Sequence, residues 1–401
     1  MSRSERRAYL HAIAARYWGA GRAQKSRMLD EYCATVQVSR KHAVARIART
    51  IEALADEAAG VLRAPRLRTG RRPLYTADGE LFAAIHAIWE AAKRPCGKRL
   101  VALLPNWLPF YEAEHDVRLS RPTRRLVNTI SAASIDRLLA PTRRTLAEHL
   151  RGLSGTTPAT EWLRSLVPVR THHHDVDRPG SFEGDTVAHC GATIAGAFFW
   201  TLTTTDIYSG WTECASVWSK LAVGIKAALI GIERRLPFAL TAFDSDNGTE
   251  FINYGLQQHF HNHTPPILFT RSRPYEKNDQ AYVEQKNFSL VRKFLGYQRL
   301  DNPELNVPLN DFFSGCWRDY VNFFLPTLKL IRKETAGSKT RRIYEPLAQT
   351  PYQRVMKSRH VSSKAKGQLR LHYQSLNPFK LKRDIDDTLA QIFNNARYAE
   401  L

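Results

Sequence analysis

Three carboxylates fall within seven residues of the chain, Asp244, Asp246 and Glu250, in the stretch TAFDSDNGTEF (241–251). The apolar run FALTAF (238–243) leads straight into them, so a strand expected to be buried ends on a cluster of like charges. A divalent cation offsets such repulsion, because hard cations are held by carboxylate oxygens. The competing reading is a turn, since Asn247 and Gly248 both tolerate positive φ and mark hairpins. A fourth acid, Asp185, lies inside the strand-like FEGDTVAHCG, which carries no Arg or Lys to neutralise it. An Asp in a buried strand must be paired, protonated or metal-bound. A fifth, Glu284, lies in the helical pattern NDQAYVEQKNFSLVRKFL.

The elements that must position these acids read β-β-β-α-β-α-β-α over residues 181–300. The strands are FEGDTVAHCG, GAFFWTLTTTDIYSGW, TECASVW, FALTAF and ILFTRS; the helices are SKLAVGIKAALIGIERR, YGLQQHFHNH and the segment bearing Glu284. Ser219 is the expected cap of the first helix and Asn278 or Asp279 of the last. This order predicts a mixed five-stranded sheet with helices on its faces. Strands one and four side by side would join Asp185 to Asp246, and the last helix crossing the sheet would supply Glu284.

The 401 residues suffice for two or three domains, and at 43% hydrophobic content they can bury a sizeable core. Net charge is +21, spread unevenly: +14 over 1–180, −3 over 181–325 and +10 over 326–401. Two basic flanks around a slightly acidic middle imply a polyanionic partner. Residues 1–60 read as helical. KSRMLDEYCATVQVSRKHAVARIART fits a helix-turn-helix, with a connector at 35–38, Ser39 as N-cap, Ala43, Val44 and Ile47 inward, and Arg40, Lys41, His42 and Arg46 toward a major groove. Residues 61–74 form a basic linker in which Arg71 and Arg72 can lie along phosphates. A second helical DNA-binding region is expected over 75–150, with helices in DGELFAAIHAIWEAAKRP, CGKRLVALLPNWLPFYE and SAASIDRLLAP, the last starting at Ser131 or Ser134 and ending at Pro141. Residues 151–180 have a linker's composition. His172, His173 and His174 fit a solvated linker better than a metal site, because neighbours on an extended chain point in alternating directions. The C-terminal region, 326–401, is basic with interleaved aromatics and closes on a helical pattern. Five scattered cysteines without a C-x-x-C pair argue against a disulfide framework or a Cys-based zinc site and suit a reducing, intracellular compartment. No run is long and apolar enough to span a membrane, and no secretory signal is evident.

EGDTVAHCG, SDNGTEF and NDQAYVEQKN, in that order and on those elements, resemble the catalytic core of retroviral integrases and bacterial DDE transposases. The 37 residues between Asp246 and Glu284 suit that family's spacing. The resemblance covers roughly 181–325. It implies an RNase H-like fold and Asp185, Asp246 and Glu284 as catalytic, metal-holding residues for two Mg²⁺ (or Mn²⁺) ions. Asp185 would bridge both ions, with Asp246 on one and Glu284 on the other. It further implies hydrolysis at the ends of a mobile element and 3′-OH strand transfer into double-stranded target DNA, by a homo-oligomer assembled on DNA. Asn247 and Gly248 would shape the turn at Asp246. Asp244 is the reserve for Asp246, and Glu250 would orient the site or face solvent. Lys286, Asn287, Arg292 and Lys293 would reach phosphates. The paired His and Cys zinc module of retroviral integrases is absent, and the helical flank in its place points to a bacterial insertion-sequence enzyme acting in the cytoplasm, at the nucleoid. A nuclease that only hydrolyses, or a DNA-binding regulator with an inactive core, are the alternative readings.

Overall fold

A computed structural model of the protein describes residues 3–58, 75, 79–145, 176–272, 281–336 and 339–396. The basic linker with Arg71 and Arg72, the segment with His172–His174, and the expected caps Asn278 and Asp279 lie outside the described residues. The chain divides into two compact units, 1–73 and 74–401.

Among its described residues the first unit has three helices, α1 (Arg3–Trp18), α2 (Arg22–Val36) and α3 (Arg40–Ala58). Helix α2 runs further than the sequence suggested, ending where Gln37 turns to φ 56°, so the connector to α3 is only 37–39. Leu10, Ile13, Met28, Leu29, Tyr32, Ala43 and Ile47 form its core. Val44, expected inward, is 45% exposed. One residue is about 100° of helix rotation, so Val44 leaves the stripe that Ala43 and Ile47 share four residues apart.

The second unit opens with α4 (Gly79–Ala91), α5 (Gly97–Glu114), α6 (Arg121–Thr129), α7 (Ala132–Leu138) and α8 (Ala140–Thr145). The Ser120 hydroxyl caps α6, and Ser131 caps α7. Pro141, expected to end a helix, instead sits second in α8, where a missing N–H costs nothing. Helix α6 went unpredicted, although Ser120 and Pro122 mark its start.

Five strands follow: β1 (Ser181–Ala188), β2 (Phe199–Asp206), β3 (Thr212–Trp218), β4 (Ala242–Ser245) and β5 (Leu268–Arg271), in the order β3-β2-β1-β4-β5. β2 is antiparallel to β1 and β3, whereas β4 runs parallel to β1 and β5 parallel to β4. This is the expected mixed sheet, with strands one and four adjacent. Helices α9 (Ala222–Arg234) and α10 (Tyr254–His261) cover one face, where Ile225, Leu229 and Phe260 meet Phe182, Leu202 and Phe243. Ser219 does not cap α9. It lies at φ 73°, three residues before the helix begins.

α11 (Ala281–Lys286) continues without a break through a π-helical turn, Asn287–Arg292, to Leu295. It packs on β1 and β2. α12 (Asn306–Ser314) and α13 (Cys316–Asp319) follow, then a hairpin of β6 (Leu330–Ala336) and β7 (Lys339–Tyr344), and α14 (Pro351–Lys357), α15 (Ser363–Ser375) and α16 (Pro378–Asn394). The divisions expected at 75–150, 181–325 and 326–401 are not separate cores. Trp107 of α5 meets Tyr320, Phe324 and Phe379 edge-on, joining the helical region, the segment after α13, and α16. Helix α16, the closing helical pattern, buries Phe379, Leu381, Ile385, Leu389 and Ile392 within its own chain.

The close parallel approach of β1 and β4 requires a glycine. A Cβ at Gly184 would lie 2.2 Å from Phe243 Cζ. Gly184→Ala therefore destabilises the second unit by about 1–3 kcal/mol through overpacking. In thermal unfolding, the double change Gly184→Ala with Phe243→Leu recovers part of the loss. An unchanged Tm in the single variant would show that the strands part without cost.

Candidate active site

Side chains alternate across a strand, so Phe182 and Gly184 face α9 and α10 while Glu183, Asp185 and Val187 face α11. The β1–β4 register sets Glu183 against Asp244, with Gly184 against Ser245, and one step further on Asp185 comes beside Asp246. Four acids thus share one face of two neighbouring strands, in a deep pair and an outer pair.

The deep pair is fully buried. Glu183 Oε2 accepts the Val283 backbone N–H of α11 at 3.0 Å, and Asp244 Oδ1 accepts the Thr270 hydroxyl at 2.6 Å. Asp244, the reserve candidate, is therefore engaged inside the sheet. In the outer pair, Asp185 Oδ2 accepts from Asn287 Nδ2 at 2.6 Å and Oδ1 accepts the Thr186 N–H at 2.7 Å. Asp246 Oδ1 accepts the Gly248 N–H at 2.9 Å. The Asn247 side chain ties the same turn to β5, donating to the Ser272 carbonyl at 3.1 Å and accepting from Arg271 at 2.9 Å. Asn247-Gly248 is not a hairpin turn. A Cβ at Gly248 would lie 2.4 Å from Glu250 Oε2, so a side chain there would displace the Glu250 carboxylate.

Glu250 does not face solvent. It is 2% exposed, and its Oε1 lies 2.5 Å from Lys220 Nζ. Lys220 follows β3 and lies 4.8 Å from the centre of the Trp200 ring. Sequence reading missed it. Its one signal was a lone lysine just beyond an aromatic strand, in the acidic middle of the chain.

The charges are unbalanced. Burial, then the Asp246 carboxylate, pushes Asp185 up to about 7. Burial also raises Asp246, and burial with the Asp246 charge raises Glu250, while Lys220 pulls all three down. Asn287 Oδ1, buried beside Asp185, has no hydrogen-bond partner. Glu284 stands in α11 between the two points where this helix meets β1, Val283 on Glu183 and Asn287 on Asp185.

The expected phosphate contacts divide. Lys286 is 7% exposed, donates to the Gly210 carbonyl at 3.3 Å, and is lowered to about 7 by burial and then by Arg354, so it is not on the outer surface as expected. Asn287 is spent on Asp185. Arg292 stacks on Tyr297, with 4.7 Å to the ring centre, and Lys293 is exposed. In the first unit Arg40 is held by Asp30 and by Ser26 (2.6 Å), Lys41 and His42 are exposed, and Arg46 is half-buried. No helix among the described residues is long and apolar enough to cross a membrane.

No family model matches the chain. The uncharacterized protein y4rM of Sinorhizobium fredii (strain NBRC 101917 / NGR234) is 37% identical over 347 residues, covering 86% of this chain and 94% of that protein. The chain belongs to the family of that protein. Solved structures with some similarity include the catalytic core domain of BIV integrase (16% identity, TM-score 0.28, 43% of this chain and 91% of that one). Another is the HTLV-2 integrase catalytic core domain in complex with magnesium (17%, TM-score 0.27, 37% and 90%). A third is the simian T-cell lymphotropic virus intasome in complex with PP2A regulatory subunit B56 gamma (13%, TM-score 0.29, 57% and 70%). At these TM-scores the likeness carries no argument about activity.

Asp185 ionises near 3.8 in an unfolded chain and near 7 in the fold, so its contribution to stability is complete below the first value and is lost as pH rises through the second. In the presence of a chelator, Asp185→Asn is therefore expected to melt about 2–4 °C above the native chain at pH 8, with the gap closing by pH 4. A gap independent of pH in differential scanning calorimetry would show that Asp185 is not held in this strained charge state.

Proposed function

We propose that the chain is a metal-dependent polynucleotidyl transferase of the transposase or integrase type, acting on double-stranded DNA through Asp185, Asp246 and Glu284. The observation that carries this reading is the outer acid pair. Two carboxylates from parallel neighbouring strands are held together against their own repulsion, beneath the helix that bears Glu284. The order of EGDTVAHCG, SDNGTEF and NDQAYVEQKN in the sequence supports the same reading.

The donor set fits hard divalent ions such as Mg²⁺ or Mn²⁺: carboxylate oxygens in excess of nearby cations, and the unpartnered Asn287 Oδ1 beside them. Asp185, Asp246 and Glu284 would hold them. Two such ions supply activation of an attacking oxygen and stabilisation of a leaving oxygen at a phosphodiester. The chain's own part is preorganisation. Asn287 fixes the Asp185 carboxylate, the Gly248 N–H fixes Asp246, and Lys220 with Glu250 sets the charge of the rim.

Water would first open a strand at an element's end. The 3′-OH so freed would then attack target DNA at the same acids, with no covalent protein–DNA bond. Lys41 and His42, exposed on the first turn of α3, suit a helix-turn-helix over 1–60 that binds the element's ends, with the basic segments 61–74 and 326–401 along the backbone. We assign the catalytic role to 181–325 and DNA-binding support to 75–150. A homo-oligomer on two DNA ends and a bacterial cytoplasmic setting follow from the same reading.

The test is strand cleavage and joining on a duplex carrying the flanking terminal repeat, with Mg²⁺ or Mn²⁺. Asp185→Asn, Asp246→Asn and Glu284→Gln are each expected to lower both steps by more than about 1,000-fold, with duplex affinity nearly unchanged. Asp244→Asn retains cleavage if it folds. A dead Asp244→Asn beside an active Asp246→Asn would reverse the assignment. Binding without cleavage by the native chain would favour a regulator with a silent core.

A further inference from the structure

Away from the carboxylate site, Glu233, His259 and His263 bring three ligand atoms within 4.8 Å of one another. Glu233 is in the last turn of α9, His259 is in α10, and His263 lies two residues past that helix. Glu233 Oε2 is 3.2 Å from His259 Nε2, and its Oε1 is 3.4 Å from His263 Nε2. The two imidazoles stand edge to face, 5.0 Å apart.

These separations match a metal site. A tetrahedral ion with ligands at about 2.0–2.1 Å holds its donors about 3.3–3.4 Å apart. The two carboxylate–imidazole distances, 3.2 and 3.4 Å, lie close to that value, one on each Glu233 oxygen, from three points on two helices and a loop. Two hydrogen bonds to one carboxylate would also account for the pair of distances. They would not require one ligand atom from each of the three residues to gather within 4.8 Å with room beside them. That room exists: Glu233 and His263 line a groove of about 420 Å³, bounded by Phe238, Leu240, Thr241 and Pro265.

The groove lies at the N-terminal ends of β4 and β5, whereas Asp246 follows the C-terminal end of β4. Four residues of strand span about 13 Å, so this cluster is separate from the carboxylate site.

We propose that Glu233, His259 and His263 form a Zn²⁺ site with its fourth position open to the groove. Two imidazoles and one carboxylate select a borderline transition ion over Mg²⁺ or Ca²⁺, which take oxygen donors. The ion would tie the end of α9 to the loop that leads into β5. The fourth position would take water or a small anionic ligand. The proposal does not depend on the activity at Asp185 and Asp246.

The test uses the full chain, stripped with a chelator and titrated with Zn²⁺ by calorimetry and with Co²⁺ by visible absorption. One Zn²⁺ equivalent is expected with Kd below about 1 µM, giving four-coordinate Co²⁺ bands without a thiolate charge-transfer band. Binding persists in Asp185→Asn. It weakens more than about 100-fold in His263→Gln and Glu233→Gln, since even partners of metal ligands cost 10–100-fold. His263 is on a loop, so its change leaves the core intact; His259→Gln provides a second variant. Binding unaffected by His263→Gln, a thiolate band, or no binding tighter than about 100 µM would each overturn the proposal.

Discussion

The parallel pairing of β1 with β4 is the constraint from which the site follows. Once Glu183 stands opposite Asp244, a period of two places Asp185 beside Asp246 on the same face. The opposite face stays apolar, with Phe182 and Phe243 in one cluster beneath α9 and α10. Register is thus fixed by hydrophobic burial on one face, and the other face receives the acids as a consequence. A slip of one residue would drive the acids into the Phe243 cluster. The sheet's apolar half therefore holds together what its polar half would push apart.

The second constraint is the helix that closes this face. α11 meets β1 through two hydrogen bonds to acids, Val283 to Glu183 and Asn287 to Asp185, one helical turn apart. Beyond Asn287 the backbone widens into a π-helical turn, a feature that recurs at functional sites. The same helix places Lys286 against the Gly210 carbonyl, near Arg354, which bonds Ser209 and Thr327 and pairs with Glu345. The β2–β3 turn is thus held from two sides, by Lys286 of the acid-bearing helix and by Arg354 of the C-terminal region.

Much of this was legible in the sequence where local pattern and tertiary need agree. The five strands and the buried positions Ala43 and Ile47 follow from periodicity, and the mixed sheet, with room for β1 beside β4, follows from the order of the elements. What escaped were partnerships set by contacts distant in sequence. Lys220 reaches Glu250 across 30 residues, and Asn287 reaches Asp185 across 102. No local pattern distinguishes such a lysine from a solvated one. Lys286 misled for the same reason: a lysine two residues after Glu284 looks exposed until the β2–β3 turn is seen to cover it. Ser219 failed as a cap because α9 starts three residues later, after Leu221.

The charge layout adds a final step. The region 181–325 carries a net −3 and gathers its acids at one end of two strands, so on the proposed reading it repels the backbone it must cut. Screening limits each exposed charge to about 8 Å at physiological salt. Attraction from basic residues elsewhere cannot steer a phosphate into the acids from a distance. On the proposed reading DNA would be delivered by contact, held along the basic segments while one phosphate meets the carboxylates. On the same reading its approach would become favourable once divalent cations neutralise the acids. The core's own repulsion would then restrain cleavage in their absence, and the excess of basic residues in the two flanks would supply the binding.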